Sequence, residues 1–337
     1  MAPRASTRGS AAAPKRRARA DAGLSIIVPL FNEAANLAAL HERLLAAARK
    51  LKATRGLAAE IVYVDDGSSD QTLAIARKLP AKGADIQIVS LSRNFGKEAA
   101  LMAGLDHARG PALLFMDGDG QHPPELIERL VKLWHADKND VVFAVKAHRA
   151  GEPVLRRMAV RFFYRLLNFG ARQTIPEDAS DFRLLSPRAA AALKRMPERN
   201  RFFKGLSSWI GFRQAQVPYE PPTRAHGRSS WNLRALIGLS IEGLTAFSTT
   251  PLRIASLLGI LLAASALLFG VWTLGETFIF GRDVPGYPSV IIGIMVIGGT
   301  QLVMIGVVGE YVAKILSELK ARPVYFVAEH ERRKAAE

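Results

Sequence analysis

The sequence predicts an α/β protein: a doubly wound, mostly parallel sheet, then interfacial helices, then two membrane-crossing helices at the carboxyl end. Three observations carry that expectation. Short β-branched apolar runs alternate with helix-period segments from Leu24 to Val145, the pattern that parallel crossovers produce. Charged or glycine-rich clusters follow four of those runs directly, where doubly wound sheets bind their ligands. Finally, Ile254 to Phe280 is apolar except for Glu276, and Val290 to Val312 except for Gln301 and Glu310; both are long enough to span a bilayer.

Taken in order, residues 1–22 mix Ala, Ser, Pro and Gly with Arg4, Arg8, Lys15, Arg16, Arg17 and Arg19. No apolar run follows those charges, so this is a disordered basic arm rather than a secretory signal, solvated or in contact with anionic headgroups. Leu24 to Pro29 reads as a strand. Ala34 to Lys52 reads as a helix, with Leu37, Leu40, Leu44 and Leu45 on one face. Ile61 to Val64 is the second strand and runs into Asp65-Asp66-Gly67-Ser68-Ser69-Asp70, after which a helix extends through Leu79. Ile86 to Leu91 is the third, followed by Arg93 to Lys97 and a helix from Glu98 to Ala108. Ala112 to Met116 is the fourth, a helix runs from Pro124 to Trp134, and Asp140 to Val145 is the fifth.

The fourth strand ends in Asp117-Gly-Asp-Gly-Gln121. Side chains two apart at a strand end point the same way, so Asp117 and Asp119 can converge on one cation. Gln121 adds a neutral oxygen. Oxygen-only ligands suit Mg2+ or Mn2+, which leave positions open for substrate phosphates. An isolated Asp-X-Asp also ends strands and caps helices. Here Pro123-Pro124-Glu125 starts a helix directly after it, and the strand, acidic turn and helix in sequence favour the ligand reading.

Composition sets outer limits. Forty-six Lys and Arg against 30 Asp and Glu give +16, which calls for a polyanionic partner: nucleic acid, an anionic membrane face or a phosphorylated substrate. The chain has no cysteine, which excludes disulfides and thiolate metal sites. Gly96-Lys97 lacks the upstream glycine of a P-loop, and no Gly-X-Gly-X-X-Gly follows the first strand, which argues against a kinase, an ATPase or a dinucleotide enzyme. A basic nucleic-acid binder or membrane adaptor would suit the charge, yet leaves Asp117, Asp119, Asp65 and Asp66 unexplained.

From Lys146 to Arg201 the chain is basic, with Arg149, Arg157 and their neighbours interleaved with apolar residues as in an amphipathic helix. Such a face is ordinarily only solvated; beside a phosphate crevice and ahead of a membrane segment it also suits phosphate contact. Asp178 and Asp181 stand in a loop before Phe182-Arg-Leu-Leu185, each either paired with an arginine or orienting an acceptor. Trp231 to Phe247 is amphipathic enough to lie in the interface. His226 has no second histidine at ligand spacing. Arg253 before the first span, and Lys314, Lys320, Arg322, Arg332, Arg333 and Lys334 after the second, put both chain ends in the cytoplasm. Gly259 with Ala263, and Ala266 with Gly270, have small-residue spacing that leaves a homo-oligomer open. The resulting division is 1–22 disordered basic arm, 23–230 α/β domain, 231–252 interfacial, 253–313 two spans and 314–337 cytoplasmic tail.

Ser25 to Glu33, Val64-Asp-Asp-Gly-Ser-Ser-Asp70, Asn94-Phe-Gly-Lys97 and Met116 to Glu125 together resemble the GT-A glycosyltransferases of family 2. Asp181-Phe-Arg-Leu-Leu185, Pro197 to Phe202, Gly227-Arg-Ser-Ser-Trp231 and the two terminal helices are similar, more narrowly, to the polyprenyl-phosphate glycosyltransferases, the bactoprenol glucosyltransferases and dolichol-phosphate mannose synthases. That resemblance implies a GT-A domain that transfers a hexose, with inversion, from a nucleotide donor to undecaprenyl or another polyprenyl phosphate, for glycan or lipopolysaccharide modification. It implies glucose from UDP-glucose first, with UDP-N-acetylhexosamine, a modified pentose or GDP-mannose as alternatives. Pro29, Phe31, Glu33, Asp65, Asp66, Lys97 and Asp117 would hold the donor. Asp117, Asp119 and Gln121 would hold Mg2+ or Mn2+, Asp178 or Asp181 would serve catalysis, and Arg149, Arg157, Arg201 and Arg228 would meet the lipid phosphate. A processive polysaccharide synthase of the same superfamily would carry Gln-X-X-Arg-Trp, and no tryptophan here follows an arginine.

Overall fold

The computed structural model describes residues 23–146, 158, 161, 165, 179–196, 198, 203–220, 250–280 and 286–335. Eight strands form one sheet: β1 (Leu24–Leu30), β2 (Ala59–Asp65), β3 (Asp85–Leu91), β4 (Ala112–Phe115), β5 (Val141–Lys146), β6 (Ala179–Leu185), β7 (Gln214–Tyr219) and β8 (Val327–Arg333). Their order is β7-β5-β6-β4-β1-β2-β3-β8. Pairings from β4 through β3 are parallel, as is β5 with β7, whereas β6 and β8 run antiparallel to their neighbours. The sheet is therefore mixed and mostly parallel, as expected.

Strand side chains alternate between two cores because the pleat has period two. Leu24, Ile26, Val28, Leu30, Ile61 and Tyr63 face α1 (Ala34–Arg55), α2 (Thr72–Ala76) and α4 (Ile127–Ala136). Ile27, Val62, Val64, Leu113 and Phe115 face α3 (Lys97–His107), α5 (Pro187–Lys194) and α6 (Phe203–Trp209). With helices on both faces, the central strands are mostly apolar, and the buried Ser25, Glu60 and Gln87 among them are hydrogen-bonded. The buried Leu37, Leu40, Leu44, Leu45, Ala48 and Leu51 of α1 recur at helical spacing, and the helix stops at Gly56, whose φ of 62° is left-handed.

Three strands went unread in the sequence. β6 covers the segment expected as a loop around Asp181. β7 contains Pro218 and lies at the sheet edge, where a missing N–H is tolerated. β8, Val-Ala-Glu-His-Glu-Arg-Arg, falls inside the expected tail and is charged as edge strands often are. It corrects the description of 314–337 as a plain tail: β8 closes the far edge of the sheet against β3.

Two long helices, α7 (Thr250–Phe280) and α8 (Tyr287–Leu319), carry segments long and apolar enough to cross a membrane, Pro251–Glu276 and Ile292–Leu319, with neither buried in the protein. The basic arm, Asp178, Arg149, Arg157, Arg201, Arg228 and the interfacial segment from Trp231 lie outside the described residues.

Candidate active site

The order of the strands reverses at β1, which pairs with β2 on one side and β4 on the other. At such a switch point two loops diverge and leave a crevice beyond the carboxyl ends of the strands. Three loops meet there, led by Leu30, Asp65 and Phe115. Gly118 lets the third approach the first: a Cβ on it would lie 2.9 Å from the carbonyl oxygen of Pro29. Gly67, at φ +68°, plays the same part next door, where a Cβ would come within 2.5 Å of the Arg93 carbonyl carbon.

Asn32 ties the first loop to the second. Its Oδ1 accepts the N–H groups of Ser69 and Asp70, and its own N–H donates to Ser68. Asp70 in turn accepts from the Ala34 N–H, at the start of α1. Phe31 remains 47% exposed at this lip, an apolar face of the kind that stacks on a base. Burial pushes the Glu33 carboxyl above its ordinary range, and the charges of Asp119, Asp117 and Asp70 push it the same way against a hydrogen bond from Asn36. Pro29 is half-buried in β1 opposite Val64.

Asp65 and Asp66 are both buried and committed to their surroundings. Asp66 accepts the N–H of Phe95 at 2.8 Å and that of Gly96 at 2.9 Å, fixing the loop that leads into α3. Asp65 accepts from Ser68 and Ser90.

Lys97 opens α3 and reaches across the crevice. Its Nζ lies 2.5 Å from Asp117 Oδ1 and 2.5 Å from Asp181 Oδ2. The antiparallel register explains why Asp181 is there: Phe115 stands opposite Arg183, so two residues further along, Asp117 meets Asp181. The strand-end rule pointed only at carboxyl ends of strands, and Asp181 arrives from the opposite direction. Lys204 Nζ, on α6, is 3.6 Å from Asp181 Oδ1. Burial disfavours the charge on Asp181, yet Lys204, Lys97 and Arg183 hold its carboxyl well below the usual carboxylate range. Burial likewise opposes the Lys97 charge, and Asp181 and Asp117 more than offset it, so its ammonium is held above the ordinary lysine range.

Several participants carried no signal in the sequence. His122 is buried under the acidic turn: its Nδ1 accepts the Asp117 N–H at 3.0 Å, which leaves Nε2–H to donate to Ser180 Oγ at 2.7 Å, and the ring stacks on Phe182. A neutral imidazole thus rivets the turn to β6. Arg183, buried beneath, donates to Ser207 of α6 and to the Ser180 carbonyl. Glu98 accepts the Phe203 N–H, and burial together with Asp181 pushes its carboxyl up to about 7.

Among the described residues no group of three or more His, Asp or Glu side chains is assembled around a metal position. Asp119 is held by Gln121, whose backbone N–H and Nε2 donate to its two oxygens at 3.0 and 2.6 Å. Gln121 thus turns its nitrogen, not its oxygen, toward the carboxylate. A hard cation needs only one or two carboxylates when substrate phosphates and water complete its shell. The acidity gathered around Glu33, Asp117 and Asp119, which Lys97 offsets only in part through its pair with Asp117, fits such an ion.

Residues 25–193 match the sequence profile of Glycosyl transferase family 2. This chain belongs to that family. The family 2 glycosyltransferase is similar over nearly its whole length to an uncharacterized glycosyltransferase of Synechocystis, at 40% identity over 306 residues, covering 91% of this chain and 95% of the relative. It is 38% identical over 309 residues to the SfII prophage-derived bactoprenol glucosyl transferase of Shigella flexneri, covering 92% and 98%. Among solved structures, glucosyl-3-phosphoglycerate synthase of Mycobacterium tuberculosis with Mn2+, UDP-glucose and phosphoglyceric acid aligns at 22% identity and a TM-score of 0.45, over 68% of this glycosyltransferase and 79% of that chain.

Proposed function

We propose that this family 2 enzyme transfers glucose from UDP-glucose to a polyprenyl phosphate such as undecaprenyl phosphate, with inversion, at the cytoplasmic face of the membrane. One observation carries the reading: the identity to a protein named bactoprenol glucosyl transferase extends over 92% of the chain, which leaves too few residues over to omit either membrane-length helix. A carrier lipid cannot leave the bilayer cheaply, and an enzyme anchored beside it meets its phosphate at headgroup level.

In this reading the uridine end of the donor lies against Phe31 and Pro29, beside Glu33 and the loops that Asp65 and Asp66 hold. The diphosphate lies over Asp117 and Asp119. Those carboxylates, with Gln121 orienting Asp119, would hold a divalent cation, which would supply positive charge to the departing diphosphate. The acceptor phosphate oxygen forms its bond to the anomeric carbon from the opposite face as the bond to the diphosphate breaks, and UDP departs. A phosphate monoester is largely ionised near neutral pH, so no strong base is required. Lys97 counters charge between donor and acceptor, Asp181 fixes Lys97, and Asp178 orients the acceptor. Arg149, Arg157, Arg201 and Arg228 receive the lipid phosphate.

The pairing of β8 with β3 supports this topology, because it requires the segment after the second span to share a side with the catalytic domain. Arg253, Lys314, Lys320 and Arg322 flank the spans and favour the cytoplasm for that side. The test is transfer by membranes holding the full chain, given undecaprenyl phosphate and a panel of radiolabelled sugar nucleotides, followed by lipid extraction. Label from UDP-glucose in the lipid, lost on chelation, is the expected result. Label from another donor alone would overturn the sugar assignment, and label from none would overturn the reading.

A further inference from the structure

The strand that follows the second membrane helix ends its approach to the sheet on the loop that carries Lys97. Ser92 N–H donates to the Phe326 carbonyl at 2.9 Å. The Phe326 ring lies 6.3 Å from that of Phe95, tilted by 52°, and the Arg93 guanidinium sits 4.0 Å over the Phe95 ring. From the inner side Asp66 grips the Phe95 and Gly96 N–H groups. The loop is thus held between a buried carboxylate and a residue of the post-membrane segment. Gly96, at φ 97°, is the last residue before Lys97.

Phe326 is itself 56% exposed. It therefore contributes little as a core residue, and what it touches is the loop. Further along, β8 is fastened independently: Arg77 pairs with Glu329 and Glu331, and Arg333 donates to the Leu79 and Ala76 carbonyls at the end of α2. Those contacts hold the strand without reaching the crevice.

We propose that the segment after the second membrane helix is a positioning element of the catalytic centre: Phe326 seats the Arg93–Gly96 loop and so sets Lys97 between Asp117 and Asp181. The membrane anchor and the charged centre are then one mechanical unit. Small displacements of such a group are costly, since misplacement by about 1 Å can reduce rate on the order of a hundredfold.

The test compares Phe326→Ala, Phe326→Leu and Glu329→Ala in the full chain, in detergent. Without substrate, amide exchange at Phe95 and Gly96 and the rate of amine labelling at Lys97 should each rise about tenfold in Phe326→Ala, stay near the parent in Glu329→Ala, and fall between in Phe326→Leu. In the transfer assay kcat should drop about tenfold or more in Phe326→Ala while donor KM stays within about twofold. Unchanged exchange and labelling, or equal changes in Glu329→Ala, would overturn the proposal and leave β8 as an edge cover only. The kinetic arm rests on the proposed transfer reaction; the exchange and labelling arms do not, and they decide the question if no donor is turned over.

Discussion

The Lys97 ammonium stands 2.5 Å from Asp181 Oδ2, so a single ion pair joins the first residue of α3 to the middle of β6 across 84 residues of chain. The same nitrogen touches Asp117. One lysine therefore holds together the two acidic segments that line the crevice.

Replacing Lys97 with Met leaves Asp117 and Asp181 facing each other, with Lys204 and Arg183 still near Asp181. We expect transfer to fall at least about a hundredfold. Stability should fall by about 1–2 kcal/mol, less than for a fully buried pair because the Lys97 side chain is 42% exposed. Thermal unfolding of the variant checks the second figure; an unchanged midpoint would refute the structural role of the pair.

Asp119→Ala removes the acceptor for both Gln121 donors without touching the core. Transfer should be lost by about a hundredfold or more, with stability within about 0.5 kcal/mol of the parent. Mn2+ titration followed by electron paramagnetic resonance gives a readout apart from turnover, and binding as tight as in the parent would remove Asp119 from the cation site.

Glu98 has a folded value of about 7 against an ordinary 4.5. Between those values the folded state keeps a proton that the unfolded chain has released, so the contribution is most favourable below 4.5 and is lost as pH rises through 7. Glu98→Gln retains an acceptor for the Phe203 N–H. It should stabilise the protein by about 1–2 kcal/mol near pH 8 and by little near pH 4.5. Denaturant midpoints at the two pH values provide the comparison, and an equal effect at both would count against the shift.

His41 is buried in α1, donating Nε2–H to the Pro80 carbonyl and accepting at Nδ1 from the Tyr63 hydroxyl. Burial lowers its value below 6.5 despite the bond to Pro80. The unfolded chain then binds the proton first on acidification, so stability is fully present above 6.5 and declines below it, by at most about 1.4 kcal/mol per pH unit for this group. His41→Gln should flatten that slope in denaturant midpoints taken from about pH 7 to pH 5; an identical slope would assign the acid sensitivity elsewhere.

The legible part of the fold was the part whose burial is symmetric. β1 to β5 announce themselves as apolar runs because both faces of the sheet are covered, and α1 does so through its leucine spacing. β6 was hidden because Ser180 and Asp181 place polar residues in its first half. β7 was masked by Pro218, and β8 by charges suited to an edge. The acidic turn could be read because Asp117, Asp119 and the flanking glycines are adjacent in sequence. Lys204, Arg183, Glu98 and His122 could not, since their importance lies in what strand and helix packing brings beside them.

By itself the sequence determined the central parallel sheet, the crevice at its carboxyl edge, the membership in a sugar-transferring family and the two membrane-length helices, because each follows from local periodicity or from contiguous residues. Only the tertiary structure decided that Asp181 faces Asp117, that Lys97 binds both, that Asp65 and Asp66 are spent on neighbouring loops, and that the chain returns after its last helix to complete the sheet. Those are consequences of antiparallel register and of pairing between residues as distant in sequence as Ile86 and Arg333, and no short-range pattern encodes which distant strand an edge will accept.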